Sequence, residues 1–150
     1  MIRTKWTCPT AVVIGSLMAL AASFGCNNSP TSPTRVPFSQ TDLRAGSGTE
    51  AATGKVLTVN YTGWLYDPSK PDQKGLVFDS SIGGTPFSFT LGAGQVIKGW
   101  DDGLVGLRVG GLRKLVIPSS LAYGGVRTFA IPAYATLLFE VELLDVEDAQ

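Results

Sequence analysis

The stretch PFSFTLGAGQVIKGWDDGL, residues 86–104, decides the fold. Apolar and polar side chains alternate through residues 87–91, which is typical of a strand with one buried face. Ile97, Trp100 and Leu104 then recur at the i, i+3 and i+7 spacing of an amphipathic helix. The stretch therefore predicts a strand followed closely by a short helix.

The predicted helix is weak by itself, because Gly99 and Gly103 lie inside it. Glycine lowers helix stability by about 1 kcal/mol relative to alanine, and a helix of two turns does not form alone in water. We therefore expect the face that carries Trp100 to pack on a sheet, which holds the helix in place.

Three further segments have the composition of strands. Residues 56–61 are rich in β-branched and aromatic side chains, Leu115 and Ile117 share one side of a segment, and alternation returns in residues 138–143. Residues 67–75 are rich in proline and charge and predict a surface loop. The pattern predicts an α+β domain in which an antiparallel sheet packs on one short helix.

Composition excludes several classes of chemistry. The chain has 150 residues with 12 Lys+Arg, 12 Asp+Glu and no histidine, and its only cysteines are Cys8 and Cys26. A zero net charge offers no polycationic face for nucleic acid. Without histidine, and with both cysteines ahead of the predicted fold, zinc sites, Ser-His-Asp triads and Cys-His dyads are excluded there. We expect no metal and no nucleic acid partner.

The N-terminus has the layout of a signal peptide, which we assign to residues 1–25. Arg3 and Lys5 precede an apolar run over residues 11–24, and small residues follow near its end. A membrane-spanning helix needs about 20 apolar residues, so a permanent span is the minor alternative.

Cys26 decides how this segment is processed. Gly25 precedes it and residues 27–34 are rich in Ser, Pro, Thr and Asn, which resembles a bacterial lipoprotein processing site, although Ser23 stands where such sites usually carry leucine. This interpretation predicts lipidation of Cys26, while the alternative is ordinary cleavage after Ala21.

The lipoprotein interpretation also predicts the organisation of the mature chain. Residues 26–37 form a flexible Ser/Pro/Thr tether and residues 38–150 form the folded domain. Asn27 stands where aspartate signals inner-membrane retention in enteric bacteria, which favours a lipid anchor at the outer membrane facing the periplasm. With ordinary cleavage the protein is periplasmic or secreted.

Aromatic side chains lie beside turns rather than only inside strands. Tyr61, Phe78 and Tyr123 each stand near glycine or at the end of an apolar segment. Side chains at strand ends converge on a pocket at one mouth of a sheet, or they simply fill the core, and composition alone leaves both open.

Five sequence blocks resemble one known family, in the family's order. They are VNYTGWL (59–65), FDSS (78–81), PFSFTLGAGQVIKGWDDGL (86–104), IPSSLAYG (117–124) and ATLLFEVELLDV (135–146). Together they resemble the FK506-binding-protein (FKBP) type of peptidyl-prolyl cis-trans isomerase. The resemblance implies a half-open, twisted antiparallel sheet of five to six strands, wrapped around one short α-helix.

The same resemblance implies the residues of a prolyl-binding pocket. The catalytic set that it implies is Tyr61, Phe78, Asp79, Trp100, Tyr123 and Phe139. The substrate-binding set is Phe87, Phe89, Val96, Ile97 and Ile131, with Phe87 and Ile131 at the rim.

By that resemblance, each polar group in the pocket has a role. Trp100 is the floor under the proline ring, the Tyr123 hydroxyl and the N–H of Ile97 donate to carbonyls, and the Asp79 carboxylate lies close to the reacting amide. One departure concerns the support of Asp79. Residues 82–85 lack the arginine that some members use as a partner for Tyr61 and Asp79.

The resemblance implies catalysis without a cofactor, on proline-containing unfolded or partly folded polypeptides. FK506- and rapamycin-type macrolides are the expected inhibitors. This agrees with the chemistry, because rotation about a peptide bond moves no proton or electron and needs no metal or nucleophile. The rival hypothesis is a non-catalytic module that binds prolyl peptides or a partner protein on the same fold, of a chaperone or adhesion type.

Overall fold

The structure, a computed structural model, describes residues 35–149. The predicted signal peptide, Cys26 and nearly all of the predicted tether lie outside the described residues, so the domain boundaries stay predictions. Within residues 35–149 no helix is both long and apolar enough to cross a membrane.

Six strands, one α-helix and one 3-10 turn make up the described chain. In chain order they are β1 Ser39–Arg44, β2 Lys55–Tyr66, β3 Lys74–Ser80, β4 Phe87–Thr90, α1 Lys98–Gly103, β5 Leu112–Ile117, the 3-10 turn Ser119–Leu121, and β6 Leu137–Asp148. The strands form one antiparallel sheet in the order β1-β5-β6-β2-β3, and β4 also pairs with β2. The predicted sheet around one short helix is confirmed.

Strand β2 organises the half of the sheet that carries the site. One of its edges pairs with β6 along its whole length, from Lys55 to Leu65. Its other edge pairs first with β4, at residues 56–59, and then with β3, at residues 62–66. The gap between β4 and β3 therefore falls beside Tyr61, and a mouth opens in the sheet there.

Two strands were not predicted from the sequence. In β1 every residue is exposed, so the strand carries no alternation between a buried and an exposed face. In β3 the register against β2 shifts twice, which also removes the alternation. The loop predicted over residues 67–75 ends early, since Lys74 and Gly75 already belong to β3.

The helix packs on the sheet as expected, and its glycines explain how closely. Helix α1 runs from Lys98 to Gly103, and Trp100 is only 4% exposed. A Cβ on Gly99 would overlap Cγ2 of Ile117 on β5. A Cβ on Gly103 would lie 2.8 Å from Cδ2 of Leu115 on the same strand. The two glycines that weaken the isolated helix are those that let it approach the sheet.

A buried arginine fastens β1 to the end of this helix. Arg113 on β5 is 6% exposed and donates to both carboxylate oxygens of Asp42, at 2.5 and 3.1 Å. It also donates to the carbonyls of Gly103 and Val105, at 2.8 and 3.0 Å. The guanidinium thus satisfies carbonyls at the C-terminus of α1, where a positive charge is favourable.

Candidate active site

A cavity of about 360 Å³ opens between the helix and the sheet. Its lining residues are Tyr61, Phe78, Asp79, Phe87, Gln95, Val96, Ile97, Trp100, Tyr123 and Phe139. Nine of them were proposed as site residues from the sequence, and the structure brings those nine together.

Trp100 forms the floor of this cavity. Its indole stands nearly perpendicular to the ring of Tyr61, with centroids 5.1 Å apart and an interplanar angle of 81°. It meets Phe139 in the same way, at 5.3 Å and 84°. Such edge-to-face pairs are favourable, and they hold the indole in one orientation. The floor is therefore built from the helix and clamped by β2 and β6.

The far wall depends on a glycine. Phe78 meets Phe139 edge-to-face, with ring centroids 5.5 Å apart. A Cβ on Gly63 of β2 would lie 2.6 Å from Cζ of Phe78 and 2.8 Å from Cε1 of Phe139. Gly63 is therefore required, because any side chain there would overlap both rings.

A hydrogen-bonded pair supplies the polar part of the wall. The hydroxyl of Tyr61 donates to Oδ2 of Asp79 over 2.6 Å, and the N–H of Ser80 donates to Oδ1 over 2.9 Å. Burial, and after it the hydrogen bond to Asp79, raises the pKa of Tyr61 well above its usual value. Tyr61 therefore stays protonated and remains a donor. These two donors orient the carboxylate although the loop after β3 lacks an arginine.

The segment that enters the helix is fixed by two side chains. Oε1 of Gln95 accepts from the N–H of Thr90 at 2.9 Å. The carboxylate of Asp101 accepts from the N–H groups of Gly92 and Gly94, at 2.8 and 3.2 Å. Asp101 therefore has a structural role in this loop.

These ties fix the position of one backbone donor. No backbone carbonyl of residues 35–149 accepts from the N–H of Ile97, the residue that precedes the helix. Ile97 also lines the cavity. Its N–H is thus a backbone donor available to a carbonyl of a bound molecule.

Two proposed site residues lie outside the lining. Phe89 is 3% exposed and stacks behind Phe87, with ring centroids 5.6 Å apart, so it supports the wall from the core side. Ile131 was placed at the rim, but it is 6% exposed and belongs to the core. The backbone carbonyl of Ile131 accepts from the N–H of Thr128, which closes the turn of residues 128–131.

One lining residue, Gln95, was not identified from the sequence. The only sequence signal that could have identified Gln95 as a lining residue is its position next to Val96, within the block of residues 86–104. Tyr123, by contrast, was predicted as a pocket residue, and it lines the cavity with 42% of its surface exposed.

The chemical repertoire of the cavity is narrow. Its polar groups are the carboxylate of Asp79, the tyrosine hydroxyls, the Gln95 amide, the backbone N–H of Ile97 and the indole N–H of Trp100, which has no hydrogen-bond partner among the described residues. The described residues contain no group of three or more His, Cys, Asp or Glu side chains placed to hold a metal. The arrangement suits binding of an apolar ring and reorientation of an amide in a dry environment.

Comparison with known proteins agrees with this geometry. The sequence profile of the FKBP-type peptidyl-prolyl cis-trans isomerases matches residues 47–144. An FK506-binding protein of Neisseria meningitidis serogroup B is 52% identical over 107 residues, which cover 70% of this chain and 92% of the relative. FK506-binding protein 4 of Neurospora crassa is 45% identical over 123 residues, which cover 81% of this chain and 25% of the relative.

A solved structure has the same fold. The crystal structure of FkpA from Escherichia coli superposes with a TM-score of 0.65 and 41% sequence identity, and the match covers 75% of this chain and 49% of that one. The resemblance drawn from the five sequence blocks is confirmed. The chain belongs to the FKBP-type peptidyl-prolyl cis-trans isomerase family.

Proposed function

We propose that this peptidyl-prolyl cis-trans isomerase acts on X-Pro bonds of exported, unfolded or partly folded polypeptides, by desolvating the amide and hydrogen-bonding its twisted form. The observation that carries the proposal is the aromatic cavity on Trp100, with the Tyr61–Asp79 pair in its wall. The cavity of about 360 Å³ is lined mostly by aromatic and aliphatic side chains, which suits the apolar ring of proline.

The physical barrier explains why such a cavity is sufficient. Rotation about a peptide bond is opposed by about 18–20 kcal/mol, because twisting destroys amide resonance. The twisted amide has less charge separation than the planar one and is less well solvated by water. A dry aromatic site therefore favours the transition state over the ground state, and each 1.4 kcal/mol of preference is about tenfold in rate.

Each polar group has a place in this scheme. The N–H of Ile97 donates to a carbonyl of the bound chain and holds one side of the amide while the other rotates. Asp79, oriented by Tyr61, faces the reacting amide from the wall. Tyr123 at the open side is the second donor. None of these steps transfers a proton.

The test is an isomerisation assay with the purified full chain. A tetrapeptide of the Ala-Xaa-Pro-Phe type is relaxed from its cis form, and the rate is followed by protease-coupled absorbance or by fluorescence. We expect a rate increase proportional to enzyme concentration. Binding of the peptide without such an increase would favour the rival hypothesis, a prolyl-binding module that does not catalyse.

We further propose that the protein is exported and lipid-anchored through Cys26, at the outer membrane facing the periplasm. The support is the sequence around Cys26, which lies outside the described residues. Cys26→Ser should move the protein from the detergent phase to the soluble fraction. An unchanged distribution would leave simple secretion to the periplasm or the medium as the explanation.

A further inference from the structure

The edge strand β3 exposes apolar side chains beside the cavity. Leu76 is 77% exposed and Val77 is 57% exposed, while Ile82, in the loop that follows, is 64% exposed. We name these three residues the β3 rim. Single apolar residues are ordinary on a surface, whereas a local group of them points to an interaction site.

The backbone of β3 is bent in a way that produces this rim. In a regular strand Leu76 and Phe78 would share one face. Here the register of β3 shifts twice against residues 63–66 of β2. Bulges of this kind redirect side chains, so that Phe78 lines the cavity while Leu76 and Val77 both face solvent.

The rim is continuous with the site along the chain. Phe78 and Asp79 line the cavity, Leu76 and Val77 stand directly before them, and Ile82 follows three residues after Asp79. At about 3.3 Å per residue, Val77 lies within two residue lengths of the cavity wall. When a proline occupies the cavity, the residues on either side of it must extend beyond the cavity. The β3 rim is an apolar surface within reach of those flanking residues.

The edge and its charges favour one kind of occupant. Among the described strands β3 pairs only with β2, so its second edge is open to an extended chain. Lys74, the cation at the start of β3, lies 2.6 Å from Glu140 and stacks over Trp64 at 4.5 Å. Asp79 is engaged by Tyr61. The rim therefore presents apolar surface, next to a lysine that is already paired with Glu140 and a carboxylate that is already hydrogen-bonded.

We propose that the β3 rim binds apolar side chains of the client polypeptide itself, a few residues from the X-Pro bond that occupies the cavity. The enzyme then prefers unfolded chains whose proline is flanked by apolar residues. This rests on the proposed function, since it takes the cavity to be the site of the proline.

The experiment compares three substrates with the same central Leu-Pro bond: a tetrapeptide, a dodecapeptide with apolar flanks and a dodecapeptide with serine flanks. The kcat/KM values are measured by NMR exchange for the parent chain and for the double variant Leu76→Ser, Val77→Ser. The parent should prefer the apolar flanks. In the variant, kcat/KM should fall about tenfold more for the apolar dodecapeptide than for the tetrapeptide. This factor corresponds to the free energy of removing one aliphatic side chain from water.

Two further variants keep the test specific. Leu43→Ser changes a half-exposed apolar residue on β1, at the far edge of the sheet, and should leave the preference intact. Phe129→Ser removes the fully exposed side chain of the loop after Tyr123. If Phe129→Ser abolishes the preference and the double variant does not, the flanks bind that loop and the proposal is wrong.

The remaining outcomes are also decisive. The proposal would be contradicted if the double variant lost the same factor in kcat/KM for both dodecapeptides. It would also be contradicted if the parent chain had the same kcat/KM for both. If the double variant melts well below the parent, Leu76→Thr replaces it. If the parent fails to turn over even the tetrapeptide, the proposed function fails, and the ratio of dissociation constants for the two dodecapeptides then decides the rim proposal alone.

Discussion

The hydroxyl of Tyr61 donates to Asp79 over 2.6 Å, and this bond joins the middle of β2 to the end of β3 at the mouth of the cavity. Tyr61 also stands edge-on to Trp100, the floor. The orientation of the carboxylate is therefore coupled to the aromatic wall. A change that spares the rings but alters the carboxylate separates catalysis from binding.

Asp79→Asn is that change. It keeps the shape of the wall and removes the charge that Tyr61 and the Ser80 N–H hold in place. If the carboxylate orients the twisting amide, kcat/KM on a tetrapeptide should fall about tenfold or more, the scale of one charge-assisted hydrogen bond, while binding of the same peptide falls less. Equal losses in both would mean that Asp79 only binds.

Tyr61→Phe is the matched control for this experiment. It keeps a ring against Trp100 and removes one of the two donors to Asp79. Because the Ser80 N–H remains, the loss in kcat/KM should be smaller than for Asp79→Asn. A larger loss would mean that the hydroxyl of Tyr61 itself contacts the reacting amide. Melting curves of both variants confirm that the fold is intact.

Gly99→Ala tests the close approach of the helix to the sheet. Alanine should stabilise an isolated helix by about 1 kcal/mol, but here its Cβ would collide with Ile117. We expect a net loss of about 1–3 kcal/mol in the free energy of unfolding, because overpacking forces the helix off the sheet. Urea denaturation measures it, with the adjacent exposed Lys98→Ala as control. A stabilised Gly99→Ala would show that the helix shifts without cost.

Strands with one buried face were predictable because burial imposes alternation. Residues 87–91 and 138–143 show it, and the structure contains β4 and β6 there. Strand β1 was not predictable, since every one of its residues is exposed and it is held by its pairing with β5, which includes the contact between Asp42 and Arg113. That contact joins residues far apart in sequence, and no local pattern encodes it.

Part of the site was predictable for a different reason. The aromatic wall residues occur in the five family blocks, whereas composition alone left open whether they line a pocket or fill the core. Phe89 and Ile131 show the limit of this transfer, because both side chains are buried and neither lines the cavity. Gln95 was not predicted, because it accepts a hydrogen bond from the backbone N–H of Thr90, and a contact to the backbone leaves no pattern in the sequence.

The contact between Asp42 and Arg113 predicts a pH dependence of stability. The hydrogen bond from Arg113 lowers the pKa of Asp42 from its usual value of 3.8. A carboxylate whose folded-state pKa is lowered contributes stability above its unfolded pKa, and that contribution is lost as the pH falls through the folded value. The contact should therefore stabilise the fold at neutral pH and cease to do so in acid.

Asp42→Asn isolates this contribution. The side chain of Asp42 is 50% exposed, so we expect the variant to be less stable at neutral pH by only about 1 kcal/mol. Urea midpoints of parent and variant should differ at neutral pH and converge below about pH 4. A difference that persists unchanged in acid would mean that the charge of Asp42 is not the stabilising element.

Macrolide binding tests the cavity as a ligand site. FKBP-type domains bind FK506, and the apolar walls here and the free N–H of Ile97 are the features that such a ligand would use. FK506 should inhibit the isomerase and raise its melting temperature. A ligand present at 100 times its dissociation constant stabilises the folded state by about 2.7 kcal/mol. Cyclosporin should have no effect, and inhibition by cyclosporin alone would contradict the assignment of the cavity.

Phe87→Ala shows which surface the macrolide contacts. Phe87 lines the cavity but is 40% exposed, so its truncation should cost less than the roughly 3–5 kcal/mol typical of a buried aromatic, and the variant should fold. The ring of Phe87 meets the ring of Tyr61 edge-to-face, with centroids 6.2 Å apart, and the variant lacks this part of the wall. FK506 should therefore raise the melting temperature of the variant less than that of the parent. Leu43→Ala, on the distant strand β1, should leave the increase unchanged. An undiminished increase for Phe87→Ala would place the macrolide outside this wall.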